Sequence, residues 1–106
     1  MKDKYEVVKF VDDKFELDVR LDGKNDTVWL NQKEIAFLFD VSTDNIGLHI
    51  KNIIKNGELD GSTTEEFSAV QIEGNRKIIR KVKYYNLDMI ISVGYRVKSK
   101  RNGLFI

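Results

Sequence analysis

The chain has no cysteine and no proline, a single histidine, a single tryptophan, and no long apolar run. Without cysteine, neither a disulfide nor a cysteine-ligated zinc is open to it. One histidine cannot build a histidine-rich metal site. No apolar stretch approaches the length that spans a bilayer. The opening MKDKYEVVKF lacks the apolar centre of a secretion signal. A cytoplasmic protein that does not enter membranes is the expectation. No phosphate-cradling glycine loop, metal-ligand spacing or nucleophile–base pair stands out, and Asp12, Asp13, Glu65 and Glu66 read as solvated turn residues. The chain is therefore read as non-enzymatic and without a cofactor.

What is present fits one domain, residues 1–106: 42% of the chain is hydrophobic and 33% charged. The net charge of +1 is uninformative, but its distribution is not. Residues 1–22 carry five basic and seven acidic side chains, and residues 23–75 carry four and nine. Residues 76–101 carry nine basic ones (Arg76, Lys77, Arg80, Lys81, Lys83, Arg96, Lys98, Lys100 and Arg101) against the one acid Asp88. Such a tract is a candidate phosphate-facing surface, or else the solvated face of a charge-rich protein.

Alternation predicts N-terminal β-strands within residues 5–30. YEVVKF and KFELDVRL are joined by a turn at VDD, and Phe15, Leu17, Val19 and Leu21 alternate with polar residues, so that strand should bury one face. TVWL follows as a short third strand. Helical spacing then predicts two helices over residues 32–56. Asn31 and Glu34 have capping-box spacing, and Ile35, Ala36, Leu38 and Phe39 form an apolar stripe. Asp40 falls at the corner, where a left-handed conformation is needed and aspartate tolerates it better than most residues. Ser42 caps the second helix, Ile46, Ile50 and Ile53 line its inner face, and Gly57 stops it. A hairpin at 67–85 turns at Gly74–Asn75. Asn86 caps a helix over 87–95, and Ser99 could cap another.

Small Ala36 at a helix crossing, the corner at Asp40 and two caps together point to a helix-turn-helix. A basic hairpin after it reads as a wing. The fold class expected is α+β: a winged helix-turn-helix with an N-terminal β-hairpin. The partner implied is double-stranded DNA, with the second helix in the major groove and the wing along the phosphates. The outward face of that helix offers Thr43, Asn45, Leu48, Lys51, Asn52 and Lys55, and the wing offers Asn75, Arg76, Lys77 and Lys81. The second helix has no arginine, so the usual guanine contact is missing. Asn45 and Asn52 suit adenine and Leu48 suits a thymine methyl, while Asp44 would repel phosphate. Affinity should come mainly from the wing and the C-terminal segment, with a modest A·T lean. Gly47 suggests close approach of DNA, of another segment or of the core. His49 and Trp29 read as packed residues before DNA contacts, and one of Tyr84 and Tyr85 need be buried. The competing reading is a protein-interaction module, or homodimer, that keeps the winged shape and uses Leu48.

TVWLNQKEIAFLFDVSTDNIGLHIKNI, GEL and VKYYNLDMIISVGYRVKSKR together resemble the RhuM family of bacterial virulence-associated proteins, across residues 27–60 and 82–105. The resemblance implies a DNA-binding domain. The leading functional expectation is a regulatory or mobile-element-associated protein, with transcription regulation as its role. It carries no catalytic residues. Asp40 departs from the glycine frequent at the family's turn. Family members continue past this region, so a truncated end is expected after NGLFI.

Overall fold

The computed structural model describes residues 6–12 and 15–97. Of the turn expected at VDD, Val11 and Asp12 are strand residues, paired with Glu16 and Phe15, and Asp13 lies outside what is described, as do Tyr5, the side chain of Phe15, Lys98, the cap at Ser99, Lys100, Arg101 and the chain end. The elements run β1 (Glu6–Asp12), β2 (Phe15–Asp22), β3 (Thr27–Asn31), α1 (Gln32–Phe39), α2 (Thr43–Lys55), a 3-10 turn (Gly61–Thr63), β4 (Thr64–Glu73), β5 (Arg76–Asn86) and α3 (Leu87–Arg96).

The α+β class holds, but the architecture is not a winged helix-turn-helix. All five strands form one antiparallel sheet in the order β1-β2-β3-β5-β4. The strands span 7, 8, 5, 10 and 11 residues against helices of 8, 13 and 10, so the sheet is the frame and the helices are a layer on it. The deciding contact is between β3 and β5. Trp29 pairs with Asn86, Leu30 with Tyr85 and Asn31 with Tyr84, which fuses the N-terminal hairpin and the supposed wing into a continuous sheet. That pairing joins segments more than fifty residues apart, and no local pattern announces it.

The helices cover one face of the sheet. Leu17, Leu30 and Tyr85 from the strands meet Ile35, Phe39, Ile46, Ile50 and Ile53 from α1 and α2, and Met89, Ile90 and Val93 from α3. Truncating a wholly buried member such as Phe39 would cost ~3–5 kcal/mol. The opposite face carries a smaller cluster. Trp29 stacks edge-on against Phe67, with 6.2 Å between ring centroids, and Phe67 against Tyr84 at 5.1 Å. The Arg20 guanidinium lies over both, 5.2 Å from the Phe67 centroid and 4.9 Å from that of Tyr84. Trp29 is therefore buried as expected, but on the side away from the helices. Tyr84 and Tyr85 are both buried, on opposite faces, because each face has its own cover.

The local grammar of the helices is borne out. Glu34 N–H donates to Asn31 Oδ1 at 2.8 Å and Asn31 N–H to Glu34 Oε1 at 2.9 Å, closing the capping box. Ser42 Oγ accepts from Asn45 N–H at 3.0 Å and Asn86 Oδ1 from Met89 N–H at 3.2 Å. Asp40 sits at φ 59°, ψ 47°. Val41 N–H then reaches the Ala36 carbonyl and Asp40 N–H that of Phe37, a Schellman termination. Gly57, at φ 74°, ends α2 in the same way: Glu58 N–H bonds the Ile53 carbonyl and Gly57 N–H that of Ile54.

Candidate functional site

A groove of about 480 Å³ runs between α2 and the inner end of β4–β5. Ile50, Ile54 and Tyr85 form its apolar floor, and Lys51, Lys55 and Lys83 stand around it. Burial pushes the Tyr85 hydroxyl pKa above its ordinary 10.0, so that group stays neutral. Gly47 also lines the groove. A Cβ there would come within 2.7 Å of Gln32 Nε2, which donates to the Thr43 carbonyl at 2.8 Å. The close approach implied by this glycine is therefore made by a side chain of α1.

Strand register decides which cations share the groove's side. Directly opposed residues of an antiparallel pair lie on one face. Thr64 opposes Tyr85, Glu66 opposes Lys83, Ser68 opposes Lys81, Val70 opposes Ile79 and Ile72 opposes Lys77. Lys77, Lys81 and Lys83 thus share a face with Tyr85, the groove floor. Arg76 and Arg80 belong to the other face with Tyr84, since Arg76 opposes Glu73 and alternation carries Arg80 to the same side. Arg80 is also committed: its Nε and Nη2 reach Glu73 at 2.7 and 3.0 Å. Arg96 pairs with Glu58 beyond the end of α2. The basic tract therefore does not present one face. Its described lysines, Lys77, Lys81 and Lys83, gather on the helix side of the ribbon, and Arg80 and Arg96 are tied to carboxylates.

Thr43, Asn45, Leu48, Lys51 and Lys55 are exposed on α2, with Asn52 half-buried. Lys51 and Lys55 meet the ribbon at the groove, while Asn75, Arg76, Lys77 and Lys81 lie farther out along it, all exposed. His49 is half-buried. Sequence reasoning placed Lys83 in the basic tract but not among the DNA contacts. Period-two spacing from Lys77 and Lys81 to Tyr85 would have placed it on their face. Among the described residues, no group of three or more His, Cys, Asp or Glu is set to hold a metal ion. No described helix is long and apolar enough to cross a membrane.

Beneath the other face, Asp22 is buried and accepts from Trp29 Nε1 at 3.0 Å, Asn25 Nδ2 at 2.8 Å and Asn25 N–H at 3.1 Å. The bonds from Trp29 and then Asn25 hold its carboxyl below the ordinary 3.8. This network locks the β2–β3 turn and, through Trp29, the back of the sheet.

Residues 62–105 match the family model described as the virulence protein RhuM family, which takes in β4, β5 and α3 but not the α1–α2 pair. No curated protein and no solved structure matches the chain.

Proposed function

We propose, from the match of residues 62–105 to the RhuM family model, that the chain binds duplex DNA with the exposed side of α2 and the lysine-bearing face of β4–β5. The observation that carries this reading is the meeting of Lys51 and Lys55 of α2 with Lys83 of β5 around one groove, continued outward by Lys81 and Lys77. Lysines set along a groove neutralise phosphates without strict geometry, which favours affinity over base discrimination. Base preference falls to Asn45 and Asn52, which suit adenine, and to Leu48, which suits a thymine methyl. The binding is non-catalytic, and the role is that of a regulatory DNA-binding region.

Fluorescence anisotropy of a labelled duplex over a salt series tests this. Five lysines engaging phosphate give a log–log slope of about −4 to −5. Absent binding, or affinity indifferent to salt, overturns the reading. A second reading has its own observation: Leu48 is 57% exposed on α2, suited to a protein partner or a second copy. Light scattering on Leu48→Asp separates the two. Loss of self-association with DNA affinity intact favours the protein contact.

A further inference from the structure

We propose that the outer part of the β4–β5 ribbon is an apolar wedge for duplex DNA, with Ile79 and its cross-strand partner Val70 entering a base step from the minor groove and kinking the duplex there. The proposal rests on the DNA-binding reading and adds to it a place and a mode of contact.

Three branched aliphatic side chains on one face of this ribbon are open to solvent: Val70 is 63% exposed, Ile72 66% and Ile79 72%. Isolated exposed aliphatics are ordinary, but a contiguous set at the end of a projecting element marks a contact surface. The ribbon does project. β3 covers only residues 84–86 of β5, whereas the β4–β5 ladder runs outward to Glu73 opposite Arg76. Beyond Lys83 the two strands have no third neighbour among the described strands. Gly74, at φ 64°, closes the tip in a two-residue turn.

Charge placement selects the occupant. Along β5, Ile79 lies between Lys77 and Lys81 on the same face, about 13 Å apart at the rise of a strand. The three rows Ser68–Lys81, Val70–Ile79 and Ile72–Lys77 contain no carboxylate. The nearby Glu73 belongs to the other face and is engaged by Arg80. An aliphatic pair flanked by cations matches a partner with an apolar interior and anionic margins, which is a base step between two phosphate backbones. A second copy of the ribbon would bury the same aliphatics but would oppose lysine to lysine, which is unfavourable. Two-stranded ribbons enter DNA grooves, and aliphatic wedges between base steps unstack them and bend the duplex toward the major groove.

The test uses a duplex labelled at both ends for energy transfer, with anisotropy measured in parallel, on the wild-type chain and on Ile79→Ser and Val70→Ser/Ile79→Ser. Both sites are exposed, and Trp29 fluorescence checks that the variants fold. Binding of the wild-type chain should raise transfer efficiency, and the variants should lose more than half of that rise. Their affinity should fall by less than about tenfold, because lost contact is offset by unstacking no longer required. Their salt slope should match the wild type. A wild-type complex with straight DNA overturns the wedge while leaving DNA binding standing. So does an Ile79→Ser variant that bends DNA fully, or one whose only change is loss of self-association in sedimentation. Failure of the wild-type chain to bind any duplex removes the DNA-binding reading and the wedge with it.

Discussion

Gln32 and Gly47 occupy complementary space across the α1–α2 junction: the Gln32 amide nitrogen lies 2.7 Å from where a Gly47 Cβ would be, and from there it donates to the Thr43 carbonyl. The glycine is the room that lets one helix hold the first turn of the next. Glycine costs about 1 kcal/mol relative to alanine inside a helix, and an exposed hydrogen bond returns ~0.5–1.5 kcal/mol. Gly47→Ala alone should therefore change stability by less than about 1 kcal/mol, its helix gain offset by displacement of Gln32. In a Gln32→Ala background the same change should stabilise by about 1 kcal/mol. Urea unfolding of the four proteins of this cycle measures the coupling, and equal effects in both backgrounds would mean the two residues act independently.

The two faces of the ribbon should differ in DNA affinity. Lys83→Ala and Lys51→Ala should each weaken binding to all sequences alike and reduce the salt slope by about 1. Arg80→Ala, on the opposite face and paired with Glu73, should leave both nearly unchanged. Asn45→Ala and Asn52→Ala should alter preference among duplexes more than overall affinity. Anisotropy titrations at several salt concentrations read all five variants.

Acid should loosen the back of the sheet through Asp22. Its folded-state pKa lies below the ordinary 3.8, first through the bond from Trp29 and then through those from Asn25. The stabilisation it provides is fully present above the unfolded value and is lost as the pH falls through the folded one. Asp22→Asn should be less stable than the wild type at neutral pH and show a flatter loss of stability below about pH 4. Urea midpoints followed by Trp29 fluorescence across that range would show it. Parallel profiles for the two proteins would mean that other carboxylates carry the acid response.

The corner between α1 and α2 should accept glycine. Asp40 holds a left-handed backbone at φ 59° that costs an L-residue ~1–2 kcal/mol, less for aspartate. Asp40→Gly should raise stability by about 0.5–1 kcal/mol with DNA affinity unchanged, and thermal unfolding with anisotropy checks both. A lower melting temperature would show that the aspartate side chain contributes something the Schellman bonds do not.

Local chemistry was readable wherever the determining contacts lie within a few residues. The Asn31–Glu34 box, the Ser42 and Asn86 caps, the corner at Asp40, the stop at Gly57 and the turn at Gly74–Asn75 each depend on neighbours no more than five positions away. The candidate lysines were readable as a basic tract but not as a surface. Lys83 was named in the tract but left out of the wing's contacts and Arg76 was grouped with Lys77, because face membership follows register, and register is set by the partner strand.

The order of residues by itself determined the helices and their ends, the alternating strands and the absence of cysteine chemistry, since each follows from backbone preference and side-chain type along a short stretch. Tertiary structure alone decided that Trp29–Asn31 pair with Tyr84–Asn86, making a five-stranded sheet rather than a helical body with a wing. It also set Lys51, Lys55 and Lys83 around one groove while committing Arg80 and Arg96 to Glu73 and Glu58. Strand partnership and ion pairing are settled by which distant segments bury their apolar faces together, and that competition is global.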